Sequence, residues 1–157
     1  MPLVLTSRAF EPGGPMPSDV TCEGAQVSPP LEWGGEPPTT RTFVLIMDDP
    51  DAPRRTWVHW VLFDLPSIET HLAEGIGSQG KLPSGARQGQ NDFGRIGYGG
   101  PCPPPGPPHR YYFRLFAVDR MLDLGSGASR TDVERSMRGH VLASTALMAR
   151  YARGSSE

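Results

Sequence analysis

The sequence predicts a mainly β protein with long loops and one helix near its C-terminal end. Three segments, residues 42–47, 56–65 and 110–119, are rich in apolar, β-branched and aromatic residues, as strands buried in a sheet are. Glycine and proline are frequent, with 19 and 18 residues. They are concentrated between these segments, which favours a loop-rich β protein over a disordered chain.

The bulk composition excludes several classes of protein. The 157 residues suffice for one domain with its own core, residues 1–157, with a frayed tail at 153–157. A net charge of −2 provides no basic surface for nucleic acid. There is no apolar run of about eighteen residues that would predict a transmembrane helix, and the first residues lack the cationic region of a signal peptide. These features predict a cytoplasmic protein.

The strand at residues 56–65 is apolar on both faces, which predicts a central position in the sheet. A period of two places on one face the side chains of Trp57, His59, Val61 and Phe63. On the third strand, the same period groups His109, Tyr111, Phe113 and Leu115. Each of these two faces therefore carries a histidine among apolar neighbours.

The regions outside the three strands have their own signals. Residues 7–41 are rich in proline and glycine, which predicts a loop laid over the core with Trp33 as its anchor. A capping-box pattern at Thr131-Asp-Val-Glu134 precedes apolar residues at helical spacing. This pattern predicts one helix of about five turns over residues 131–151.

Two cysteines, Cys22 and Cys102, fit no metal-binding spacing and no CxxC motif. In a cytosolic protein they are expected to be two reduced thiols. A disulfide between them requires that the two loops meet in space.

The acidic segment Asp48-Asp-Pro-Asp-Ala-Pro53 joins the first two strong strands. Asp, Pro and Ala are ordinary turn residues, so a simple polar turn is one interpretation. However, carboxylates so close together repel one another, and two prolines fix the backbone around them. The second interpretation is that the turn holds its carboxylates in a set geometry for a binding site.

Taken singly, His59, His109 and Tyr111 are more typical of structural residues than of a site. Together they form a pattern, because each histidine lies beside a rigid proline-rich loop and an acidic turn precedes one of them. Imidazole N–H groups, a tyrosine hydroxyl and the amides of a glycine-rich loop would make a donor-rich anion site. The carboxylates are expected to orient the imidazoles and to raise their pKa.

Several stretches carry a resemblance to a known family. Asp49-Pro-Asp-Ala-Pro53 with Trp57-Val-His59, and Gly100-Pro-Cys-Pro-Pro-Pro through His109-Arg-Tyr111, resemble the two signature motifs of the phosphatidylethanolamine-binding protein family. This family is also known as the Raf kinase inhibitor protein family. The stretches Thr21-Cys-Glu-Gly24, Ser28-Pro-Pro-Leu-Glu-Trp33 and Asn91-Asp-Phe-Gly94 resemble its compact prokaryotic branch.

The resemblance implies a β-sandwich-like fold with a large central antiparallel sheet, a smaller sheet and a C-terminal helix. It also implies a small pocket for phosphate, acetate or phosphoethanolamine-type groups. The residues that would line or support this pocket are Asp49, Asp51, Pro53, Trp57, His59, Gly100, Pro101, His109 and Tyr111. Within it, Gly100 would offer a backbone amide, His59 and Tyr111 would contact the anion, and Asp49 would orient an imidazole.

The function predicted from this resemblance is a non-enzymatic small-anion-binding protein that modulates a kinase or another signalling partner. There is no G-x-S-x-G elbow to indicate a serine hydrolase, and no cofactor or metal is predicted. One alternative is a protease inhibitor; another is a hydrolase in which two histidines and two aspartates bind Zn²⁺. Compact members of the family often pair, which makes a homodimer plausible. The chain departs from eukaryotic members in having Val58-His59 where they carry two adjacent histidines.

Overall fold

The computed structural model describes residues 2–154, which form two antiparallel sheets and one α-helix. The bounds are β1 Val4–Thr6, β2 Leu31–Gly34, β3 Thr42–Asp49, β4 Trp57–Pro66, β5 His71–Leu72, β6 Arg87–Gln88, β7 His109–Val118, α1 Arg130–Met137 and β8 Val141–Tyr151. The larger sheet has the order β6-β4-β3-β7-β8 and the smaller one β1-β2-β5. The predicted fold class is therefore confirmed. No helix within residues 2–154 is long and apolar enough to cross a bilayer.

The side chains of β3 alternate between two hydrophobic cores. The inter-sheet core, between the two sheets, includes Phe43, whose ring lies 5.5 Å from that of Trp33 on β2. The helix-side core, on the opposite face, includes Ile46 and Val133 of α1. Because both faces are covered, β3 is buried along its whole length. The continuous apolar run at 42–47 is the sequence signature of such a strand.

A β-bulge interrupts the pairing of β3 with β4 near the acidic turn. Met47 is opposite Trp60, but the next residue, Asp48, is opposite Val58. His59 is thus the extra residue on β4, and a bulge of this kind changes the direction of the side chains that follow it. Bulges are common beside binding sites for this reason.

The bulge makes the predicted alternation along β4 wrong. Val58 packs with Val61 in the helix-side core, whereas Trp60 belongs to the inter-sheet core. The ring of His59 lies 5.4 Å from that of Tyr111, which is also in the inter-sheet core. His59 therefore points to the opposite side of the sheet from Val61, with which the period of two had grouped it.

The predicted helix over residues 131–151 is wrong in extent. The helix ends at Met137, Gly139 takes a left-handed φ of +83°, and β8 then pairs with β7 along its length. The N-cap is Ser129, which forms a capping box with Asp132, two residues before the predicted one. Tertiary pairing with β7 outweighs the helical spacing of the apolar residues, because a strand at this position completes the central sheet.

Residues 7–41 are mostly loop, as predicted, and the short strand β2 within them carries Trp33, a buried anchor whose Nε1 donates to the Glu69 carbonyl at 3.1 Å. One further prediction needs correction. The cysteines are not free thiols. Cys22 and Cys102 form a disulfide that spans 80 positions of the chain, so the two loops do meet. Of the predicted frayed tail at 153–157, residues 155–157 lie outside the described residues.

Candidate functional site

A cavity of about 200 Å³ opens where β3 ends and β4 and β7 begin. Antiparallel pairing brings the end of β3 beside the starts of both neighbouring strands, so the acidic turn meets the two histidines. The residues that line the cavity are Asp49, Ala52, Pro53, Trp57, His59, Phe93, Cys102, Pro103, Pro104, His109 and Tyr111. We call this cavity the pocket.

The structure brings six of the nine predicted site residues to the pocket wall: Asp49, Pro53, Trp57, His59, His109 and Tyr111. The other three, Asp51, Gly100 and Pro101, do not line it. Their contacts place them behind the lining residues.

The Asp49 carboxylate fixes the orientation of His109. Oδ2 of Asp49 lies 2.7 Å from Nδ1 of His109, and Oδ1 accepts the backbone N–H of Asp51 at 2.8 Å. Asp49 is buried, with 3% of its surface exposed. This pair leaves Nε2 of His109 without a hydrogen bond to any described residue, so it is free for a ligand.

His59 is buried and is fixed by Gly99. The ring Nδ1 lies 2.7 Å from the carbonyl oxygen of Gly99, whose own N–H donates to the His59 carbonyl at 2.9 Å. A carbonyl oxygen only accepts hydrogen bonds, so Nδ1 must carry a proton. The other nitrogen, Nε2, has no hydrogen-bond partner among the described residues.

The pKa of His59 is lower than its ordinary value of 6.5. Burial is the main cause, and it outweighs the Gly99 carbonyl and the nearby Asp49 carboxylate, which both act in the opposite direction. The carboxylates act in the expected direction, but the expected net rise in the pKa of His59 is wrong, because burial outweighs them. At neutral pH its Nε2 is an acceptor rather than a donor.

Tyr111 lies between the two histidines. Its ring centroid is 5.4 Å from that of His59 and 6.3 Å from that of His109. Among the described residues, its hydroxyl is the one buried side-chain polar atom that makes no hydrogen bond of normal geometry. Burial is the main cause that raises the pKa of Tyr111 well above its ordinary value, and the Asp49 carboxylate, the neighbouring acceptor for this hydroxyl in the free protein, acts in the same direction, so the phenol keeps its proton.

Asp51 does not line the pocket but holds the segments around it together. Its carboxylate accepts from Nε of Arg110 at 2.9 Å and from NH2 of the same guanidinium at 2.8 Å, and it also accepts the backbone N–H of Arg110 at 2.9 Å. The Arg110 guanidinium lowers the pKa of Asp51 to about 2. This pair ties the acidic turn to the start of β7. The sequence analysis missed Arg110 as the partner.

The third carboxylate of the acidic segment, Asp48, points to the opposite face of the sheet. It accepts from Nε of Arg114 at 3.0 Å and from NH1 of Arg130 at 2.8 Å. Asp48 and Asp51 thus have separate arginine partners, and Asp49 pairs with His109, which relieves the repulsion expected from their closeness.

Gly100 and Pro101 form a second layer behind the pocket wall. The Gly100 N–H donates to Oε1 of Gln26 at 3.0 Å, and the Pro101 carbonyl accepts from the Cys22 N–H at 3.0 Å. A Cβ at Gly100 would lie 2.5 Å from the Val20 carbonyl oxygen, so a side chain cannot fit there. The expected contact of the Gly100 amide with an anion is not available in this arrangement, since Gln26 occupies it.

The sequence analysis missed the apolar rim of the pocket. Phe93 is 41% exposed, and its ring makes edge contacts with Trp57 at 5.5 Å and with His59 at 5.4 Å. Pro103, which is buried, and Pro104, which is exposed, also line the pocket. The one available signal for Phe93 was its place in the stretch Asn91-Asp-Phe-Gly94. The pocket thus combines a polar floor with an apolar rim, which suits a small polar group attached to an organic moiety.

Comparison with known proteins gives a consistent result. Residues 6–152 match the family model described as phosphatidylethanolamine-binding protein. A UPF0098 protein of Methanothermobacter thermautotrophicus is 50% identical over 150 residues, which cover 96% of this chain and 99% of that protein. A UPF0098 protein of Aquifex aeolicus is 49% identical over 151 residues, which cover 94% of this chain and 86% of that protein.

Solved structures agree with the sequence comparison. The crystal structure of Escherichia coli YbcL, described as a new member of the mammalian PEBP family, has a TM-score of 0.90 and 33% identity, covering 97% of this chain and 99% of that one. CT736 of Chlamydia trachomatis, described as a PEBP homologue, has a TM-score of 0.89 and 38% identity, covering 97% of this chain and 98% of that one.

Proposed function

Because this chain belongs to the phosphatidylethanolamine-binding protein family, we propose that its pocket binds a small oxyanion such as a phosphate group. The observation that carries the proposal is the unpartnered hydroxyl of Tyr111. A buried hydroxyl without a partner costs about 1–3 kcal/mol, and an oxyanion in the pocket would supply the missing acceptor. The free Nε2 atoms of His59 and His109 would complete the polar contacts.

The pocket suits a binding module better than an enzyme. Cys102, the cysteine on its wall, is joined to Cys22 and cannot provide a thiolate nucleophile. The lining residues include no serine, threonine or lysine. The family resemblance also predicts a protein partner that responds to the occupied pocket. This partner would be a kinase, another signalling protein or a protease, and it stays a prediction.

The experiment that tests the proposal is a titration of inorganic phosphate, followed by NMR of the histidine ring signals. We expect saturable shifts at His59 and His109 and none at the exposed His71. His59→Ala is expected to weaken binding about tenfold or more, the loss of about 1.4 kcal/mol. His71→Ala is the matched control and should bind as the wild type does. If neither pocket histidine responds, the proposed function is wrong.

Tyr111→Phe provides a second test, with opposite effects on stability and on binding. Removing an unpartnered buried hydroxyl should raise the free energy of unfolding by about 1 kcal/mol, while phosphate affinity should fall about five- to tenfold. Urea unfolding with and without phosphate measures both effects.

Tyr98→Phe is the matched control for this substitution. The Tyr98 hydroxyl donates to the Val20 carbonyl at 2.7 Å, so its removal should lower the free energy of unfolding by about 1 kcal/mol. A loss of stability in Tyr111→Phe similar to that in Tyr98→Phe would show that the Tyr111 hydroxyl has a partner in the free protein and would remove the main support for the proposal.

A further inference from the structure

The hydrogen-bonding pattern around His59 restricts which anions the pocket can hold. The Gly99 carbonyl holds the proton of the imidazole on Nδ1, 2.7 Å away, so Nε2 of the neutral ring presents a lone pair. The floor of the pocket therefore presents an acceptor beside the Tyr111 donor. We propose that the pocket selects tetrahedral oxyanions that carry a proton of their own, phosphate over sulfate.

This inference rests on the proposed function, because it concerns the same pocket. A ligand P–OH would donate to Nε2 of His59, and an unprotonated oxygen of the same ligand would accept from the Tyr111 hydroxyl. A sulfate ion has no proton to offer at neutral pH, so one of its oxygens would face the His59 lone pair. A site built to accept a hydrogen bond from its ligand discriminates strongly against an analogue that lacks the donor.

The charge of the floor supports the same selectivity. The Asp49 carboxylate lies directly behind His109, with Oδ2 2.7 Å from Nδ1, so a cationic His109 would be neutralised by its own partner. The other charged or titratable groups around His59 are Asp48 on β3, Asp92 on the loop that carries Phe93, and Tyr111 on β7. The lining residues include no arginine or lysine to supply an excess of positive charge, so binding has to depend on matched hydrogen bonds.

The test compares inorganic phosphate with inorganic sulfate by calorimetric titration at about pH 8. Both ions are then predominantly tetrahedral dianions, and they differ by the P–OH group. We expect phosphate to bind at least about tenfold more tightly than sulfate. Equal affinities, or tighter binding of sulfate, would overturn the inference. If neither ion binds, the proposed function itself fails, which is a different result.

Two further measurements address the role of Nε2. In His59→Gln the side-chain amide can donate as well as accept, so the ratio of phosphate to sulfate affinity should fall towards one. In the wild type, burial holds the pKa of His59 below 6.5, so Nε2 becomes a donor only at a pH below that value. Sulfate affinity should therefore rise as the pH falls through this range. A sulfate affinity that does not change with pH would contradict the assignment of Nε2 as the acceptor.

Discussion

Replacing Gln88 with alanine is expected to lower the free energy of unfolding by about 3–5 kcal/mol. Gln88 is fully buried, and its Oε1 accepts from Nε1 of Trp60 at 2.7 Å. Its Nε2 donates to the carbonyls of Gly77 and Gln79 at 2.7 and 2.9 Å. Truncation leaves the buried indole N–H and two carbonyls without these partners and creates a cavity in the inter-sheet core. Denaturation by urea, followed by tryptophan fluorescence, measures the loss.

The chain offers a matched control two residues away. Gln90 is exposed, and its backbone N–H donates to the Ala128 carbonyl at 3.0 Å, a bond that does not depend on the side chain. Gln90→Ala should change the free energy of unfolding by no more than about 0.5 kcal/mol. Similar losses in the two variants would mean that the Gln88 hydrogen bonds add little to stability.

The Gln88 network also supports the pocket. Trp60 directly follows His59 at the β-bulge, and the contact with Gln88 fixes the indole in the inter-sheet core. If the Trp60 indole were held less firmly, the backbone of the bulge would be more mobile. The direction of the His59 ring would then be less well fixed. We therefore expect Gln88→Ala to weaken phosphate binding as well, although Gln88 does not line the pocket.

The central sheet could be predicted because its strands carry their own signals. The run at 42–47 is apolar on both faces, and only a strand at the centre of a sheet buries such a run completely. The acidic turn and His59 lie at its end, so the position of the candidate site followed from the chain order. Placing His109 there required the further assumption that β7 is a neighbour of β3, which the structure confirms.

Other features depend on tertiary contacts that leave no local mark. The bulge at His59 is a shift in the pairing register between β3 and β4. None of the residue types in Trp57-Val-His59 predicts such a shift. The apolar residues of 141–151 are compatible with either a helix or a strand. The strand forms because it can pair with the edge of β7. The role of Gln26 behind Gly100 was similarly hidden, because the two residues are 74 positions apart.

The double variant Cys22→Ser/Cys102→Ser is expected to lower the free energy of unfolding by about 2–4 kcal/mol. The disulfide closes a loop of 80 positions, and its main effect is to restrict the unfolded chain. Thermal and urea unfolding of the oxidised wild type and of the variant measure the difference. A reducing agent supplies the control, because it should destabilise the wild type by a similar amount and leave the double variant unchanged.

The effect of the same variant on the pocket should be much smaller than its effect on stability. Cys102 lies on the pocket wall, but three hydrogen bonds also tie residues 98–101 to residues 20–26: Tyr98 to Val20, Gly100 to Gln26, and Cys22 to Pro101. These bonds keep the wall in place in the folded protein, so phosphate affinity should fall only about two- to threefold, less than 1 kcal/mol. A much larger loss would mean that the covalent bond, rather than these hydrogen bonds, holds the wall. Affinity would then follow the oxidation state of the two cysteines.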